Sequence, residues 1–189
     1  MWGWSHANIQ IYVDSAPGGR IDLFPGTYAQ TSPDWGWESA VMLVGEAGPV
    51  YGMAHDSSTR ITAGIDARGN PDTDTIVATV SKNILQGDLA SSRFLIVVGS
   101  QDGYGQGKLR AVDENPSTWV AGGGSPPNSQ NLEKYHSTIW DVLLPESVNQ
   151  EEMLGSYDVE MMAYSKLEGV ELPPIQQQVY GLNAIGVSG

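Results

Sequence analysis

An all-β chain, an antiparallel β-sandwich with one short helix near its C-terminus, is predicted by three observations. Short runs of β-branched and aromatic residues recur along the whole sequence, each bounded by Gly, Pro, Asp or Ser clusters. Among 189 residues, 23 are Gly and 11 are Pro, which suits many strands joined by turns. No helical pattern alternates with those strands, so a parallel α/β sheet is not expected.

The first strand lies in WSHANIQIYVDSAPGG, residues 4–19. Ile9, Ile11 and Val13 alternate there with Asn8, Gln10, Tyr12 and Asp14, the period of two that marks a half-buried strand. Residues 15–38 follow, too long and too rich in Pro and Gly for a tight hairpin, as binding loops and disordered segments are. ESAVMLVG (38–45), PVYGMAH (49–55) and TRITAGI (59–65) read as consecutive antiparallel strands, with turns at 46–48 and 56–58. Residues 66–74 read as a turn cluster, 75–81 as a strand, and 82–89 as room for one helical turn. FLIVVGSQDGYG (94–105) opens with a run that is apolar on both faces, so its strand lies deep in the sandwich. Residues 119–121 and 139–144 complete the strands. SVNQEEMLGSY (147–157) is the helix, with Ser147 and Gln150 spaced as a capping box. No repeat of solenoid or propeller period is present.

Twenty-two acidic residues stand against 9 basic ones, a formal charge of −13. Phosphate binding needs a basic face, so nucleic acid is excluded as a partner, and an anionic membrane surface is disfavoured for the same reason. Carboxylates are the ligands that hard Ca²⁺ accepts; the same charge also serves plain solubility. Without Cys, neither disulfides nor thiol chemistry is available. No run approaches the ~18 apolar residues of a membrane span.

Catalytic motifs are missing: no nucleophile elbow, zinc helix or phosphate loop is found, and His6, His55 and His136 lack metal-ligand spacing. Aromatic residues are the stronger signal. Six Trp and eight Tyr against two Phe favour rings with a polar edge, the kind that stack on sugar faces. Trp35 and Trp37, at i and i+2 near the end of the long loop, point to one side if extended. With Tyr104 in the GSQDGYG turn they are the candidate carbohydrate-binding residues, core packing being the competing reading. Trp119 and Trp140 are expected in the core or its rim. Asp14 and Asp102, each at a strand end beside a Gly-rich turn, are either ordinary turn residues or candidate Ca²⁺ ligands. Asp66, Asp72 and Asp74 form a further cluster whose spacing is not that of an EF-hand loop.

WSHANIQIYVDSAPGG, VVGSQDGYG and IWDVLLPESVNQEEMLGSYD (139–158) together resemble the C-terminal module of glucodextranases and archaeal amylopullulanases. The resemblance runs in order from about Trp4 to about Leu167. It implies a DOMON-like sandwich, similar to family 9 carbohydrate-binding modules, on secreted, surface-attached proteins that process glycans. The expected function is therefore non-catalytic: binding polysaccharide or anchoring to a cell-surface glycan outside the cell. Members of that family usually carry Gly/Asp-rich sequence and further strands ahead of the WSHANIQIY-type strand, whereas Met1 stands almost on it. Either a fragment or strands supplied by a partner are expected on that ground.

Residues 1–170 are read as the sandwich and 171–189 as an extended tail or linker. The tail carries no charge after Glu171. Its spaced apolar residues Val179, Leu182, Ile185 and Val187 are the candidate assembly residues for a second role, as a subunit of a surface layer or filament built by strand exchange.

Overall fold

The computed structural model describes residues 6–45, 50–101, 109–113, 120–122 and 138–172. Its strands are β1 (Ala7–Asp14), β2 (Ser39–Val44), β3 (Val50–Ala54), β4 (Ile65–Asn70), β5 (Thr75–Val80) and β6 (Arg93–Ser100). Shorter ones follow: β7 (Ala111–Asp113), β8 (Val120–Gly122), β9 (Asp141–Val142), β10 (Tyr157–Asp158), β11 (Ala163–Tyr164) and β12 (Val170–Glu171). Among the described residues one short helix, α1 (Gln150–Leu154), is present, between β9 and β10. The architecture is all-β and antiparallel as expected, apart from the parallel pair β7–β8 and a parallel bridge between Gln30 and Ala163.

The main sheet runs β12-β6-β1-β2-β3, with β9 also pairing β6. Alternation of side chains along these strands feeds two cores. Tyr12, Met42, Tyr51, Leu95 and Val97 enter one, capped by Phe24, Trp35 and Trp37 of the long loop together with Met153 and Tyr164. Ile11, Val13, Val41, Leu43 and Phe94 enter the other, capped by Ala67, Ala78 and Val80 of the β4–β5 hairpin and by Ile84 and Leu85. The sheet is thus covered on both faces, by an irregular loop on one side and a small second sheet on the other.

That double cover corrects the half-buried reading of β1. Asn8, Gln10 and Tyr12 are all fully buried, and a polar chain makes this tolerable. Gln10 Nε2 donates to Thr27 Oγ1 at 2.8 Å, the Tyr12 hydroxyl donates to Gln10 Oε1, and Phe24 N donates to the Tyr12 oxygen at 2.8 Å. Buried polar groups are kept where such partners exist. The Tyr12 phenol is pushed well above its usual pKa, chiefly by burial. β1 is also bonded on both edges, to β2 and to β6. A gap for an incoming strand therefore does not lie beside β1.

Other elements differ from expectation at their edges. Residues 66–70, read as turn, are strand β4, because Ala67 is drawn into the second core opposite Ala78. The hairpin turn is confined to 71–74, where Asp74 takes φ 52°. The strand expected over 59–65 keeps only Ile61, which bridges Gly52, and Ile65, which opens β4. Helix α1 starts later than the Ser147 capping box: Asn149 is the cap, its side chain accepting from Glu151 N at 2.8 Å and Glu152 N at 3.2 Å. The expected boundary at residue 170 falls inside β12, and Leu172 is buried in the chain's own second core. Val179, Leu182, Ile185 and Val187 lie outside the described residues.

Candidate functional site

Three charged residues meet in one row at an end of the main sheet. Asp14 closes β1, Arg93 opens β6, and Glu171 closes β12; in register Arg93 stands opposite both Asp14 and Glu171. Opposite charges on adjacent strands stabilise such a row. Asp14 Oδ2 accepts from Arg93 Nε at 2.9 Å and from Nη2 at 2.6 Å, and the Asp14 side chain is only 14% exposed. This pair lines an open cleft of about 500 Å³. Its walls come from the segment Ser15–Gly18, from Asp34 and Gly36 of the long loop, and from Ser91.

Polar and apolar surface are nearly balanced in the lining, and its polar groups are three carboxylates, one guanidinium and two serine hydroxyls, with backbone exposed at Gly18. Hydrogen-bond donors and acceptors are both present within one concave surface, which suits a ligand dense in hydroxyl groups. The carboxylates outnumber the guanidinium, and that guanidinium already faces Asp14. An anionic ligand therefore finds no uncompensated positive charge here.

Glycines bring the walls together. A Cβ on Gly36 would stand 2.0 Å from the Gly18 carbonyl oxygen, so a side chain there would push the two ends of the long loop apart. Gly19 adopts φ +87°, a conformation that glycine accepts freely, and packs against Glu38 and the Trp37 amide. Arg20 and Trp37 then exchange two backbone hydrogen bonds of 3.0 Å, closing the base of the loop.

The sequence-predicted residues stand differently around this cleft. Trp35 and Trp37 are not a binding platform: they are 1% and 0% exposed. The Trp37 indole packs 5.4 Å from the Tyr12 ring, and its Nε1 donates to the Asp22 carbonyl at 3.0 Å. Burial of so large a ring stabilises the fold more than exposure would, and the two indoles join Leu23, Phe24 and Ala29 of the same loop in capping the sheet. Trp35 does sit between the two cleft-lining residues Asp34 and Gly36, but its ring is turned into the core. Trp140, expected in the core or rim, is 43% exposed.

Asp14 lines the cleft but is held by Arg93, so a dication at that carboxylate would sit against a guanidinium. Among the described residues, no three His, Cys, Asp or Glu side chains gather as a metal-binding group. Asp102 and Tyr104 lie outside the described residues. Sequence reasoning missed Arg93 and Glu171. Arg93 immediately precedes the apolar run of β6, and only the antiparallel register reveals that it faces Asp14.

No helix among the described residues is long and apolar enough to cross a membrane. Comparison with curated proteins returns no match. Residues 1–168 match the model of one protein family, described as the C-terminal binding-module, SLH-like, of glucodextranase. The β-rich fold and the resemblance carried by the three motifs agree with that match, which takes in most of the chain. The chain belongs to the family of C-terminal, SLH-like binding modules of glucodextranase.

Proposed function

We propose that this chain is a non-catalytic carbohydrate-binding module of an extracellular or cell-surface protein, and that the cleft at Asp14, Arg93 and Glu171 is where it holds a neutral glycan. Membership of a binding-module family supports the class of function. The row of alternating charge inside an open cleft carries the site. Sugar hydroxyls both donate and accept, and planar charged groups bind them in pairs with a fixed direction. The Asp14–Arg93 pair presets one such direction, while Glu171 and Asp34 offer further acceptors in the same cleft.

Affinity electrophoresis through gels containing neutral α- or β-glucans tests this reading. Glu171→Ala and Asp34→Ala should each weaken retention roughly tenfold, the worth of one or two hydrogen bonds to a charged acceptor, while the melting temperature holds for Asp34→Ala and falls only slightly for Glu171→Ala. Wild-type protein that migrates identically with and without every glucan of the panel would end the proposal.

A further inference from the structure

Glu38 is a buried carboxylate that the cleft itself does not expose. The residue is 6% exposed and stands at the end of the long loop, next to β2. Its backbone is fixed from two sides: its N–H donates to the Val13 carbonyl at 2.9 Å, and its own carbonyl accepts from His55 N at 2.8 Å. The side chain reaches under the turn that follows β1. Oε2 accepts from Ser15 N at 2.7 Å and from Ala16 N at 3.1 Å, with the Ser15 hydroxyl 3.5 Å away. Oε1 is buried without a hydrogen-bond partner. Gly19 comes so close that an added Cβ would stand 2.6 Å from that oxygen.

Burying a carboxylate is costly unless its oxygens are well used. A hydrophobic side chain of equal size would fill this space without that cost. What only an oxygen supplies is an acceptor for two consecutive backbone N–H groups, and those groups belong to Ser15 and Ala16, the first residues of the cleft wall. Charge-assisted bonds of this kind are the strong ones. We infer that Glu38 is a positioning residue: its buried carboxylate sets the conformation of the Ser15–Gly18 wall and so the shape of the cleft. Glu38 touches no ligand and acts through the backbone of the wall. Its binding consequence rests on the cleft reading proposed above; its hold on the wall does not.

Two variants of the full chain separate the acceptor from the bulk. Glu38→Gln keeps an oxygen within reach of both N–H groups, and Glu38→Met keeps the volume and removes the acceptor. Amide hydrogen exchange is read at Ser15 and Ala16, with β1 and β6 amides as the internal reference. Glu38→Met should speed exchange at Ser15 and Ala16 roughly tenfold or more, the effect expected from losing a bond to a charged group, with the β1 and β6 amides unchanged. Glu38→Gln should stay within a few-fold of wild type. Retention on the glucan gel should follow the same order, weakened by Met and largely restored by Gln.

Equal exchange at Ser15 and Ala16 in the two variants overturns the inference, since bulk alone then holds the wall. Loss of protection across the whole sheet in both variants also overturns it, by making Glu38 a general prop of the fold. If wild-type protein binds no glucan yet the exchange pattern separates Met from Gln, the glycan reading falls and the positioning of the wall stands.

Discussion

Replacing Trp37 by alanine removes an indole that packs against Tyr12 and Phe24 and carries Arg20 over its face, 5.8 Å from the ring centre. Such a deletion leaves a cavity beneath the loop, and Trp37→Ala should cost about 3–5 kcal/mol in chemical denaturation. Any loss of glycan binding in that variant follows from unfolding, so it says nothing of contact with sugar. A milder residue-level effect concerns alkali. Burial, aided by the nearby Asp158 charge, pushes the Tyr157 hydroxyl up to about 12. Tyr12 moves in the same direction. A raised folded-state value means that folding favours the protonated phenol, so this stability is complete below about pH 10, where an unfolded tyrosine titrates, and is lost as pH climbs toward about 12. Urea midpoints measured from pH 8 to 12 should fall steeply in the upper half of that range, and less so for Tyr157→Phe. That substitution also removes the 3.1 Å bond to the Tyr28 carbonyl, so its midpoint near pH 8 should already be lower, by about 1 kcal/mol.

Helix α1 and hairpin β4–β5 show what decides an element of marginal length. Five residues make too short a helix to persist on propensity alone, and Met153, fully buried in the first core, anchors it. The start is set by which side chain reaches the free N–H groups. Asn149 does so, which makes Asn149→Ala the damaging change, by about 1 kcal/mol in urea unfolding, and leaves Ser147→Ala close to neutral. Equal effects from the two would return the cap to Ser147. The β4–β5 hairpin carries Asp66, Arg68 and Asn70 on its exposed side, and these polar residues disguise a strand as a turn. Across from them Ala67 and Ala78 pack inward, small enough for the hairpin to lie close on the main sheet.

At the scale of the whole molecule, charge is the main selector. A net charge of −13, with carboxylates in the majority inside the cleft, repels polyanions before contact and desolvates badly against them on contact. Neutral glucans should therefore retard the protein in affinity gels, while uronate-rich or sulfated polysaccharides should not at low salt. Retention by the anionic polymers alone would move the site away from this cleft. Calcium is decided by a separate measurement. Melting curves in millimolar Ca²⁺ and in EDTA should coincide if the described residues set the response, because ligand binding raises the melting temperature only where a site exists. A rise with Ca²⁺ would direct attention to the segment holding Asp102.

Period-two alternation, apolar runs between turns, and the Gly and Pro count were enough to read the class of fold, and β1, β2, β3, β5 and β6 fall close to where the sequence puts them. Local chemistry determines these features: a strand's alternation and a turn's glycine act within a few residues. The three motifs likewise carried the family resemblance without any structure. What the tertiary structure decided was direction and pairing. Whether Trp35 and Trp37 face water or the core depends on what the loop packs against, and both rings join Tyr12 and Phe24 in the first core. Asp14 changes from a metal candidate to half of an ion pair because antiparallel register sets Arg93, 79 positions away, directly opposite. The cleft exists only where the ends of three strands meet the two glycine-tightened ends of one long loop. Partners so far apart in sequence leave no local trace, since their meeting is fixed by the register of the sheet and the packing of its two faces.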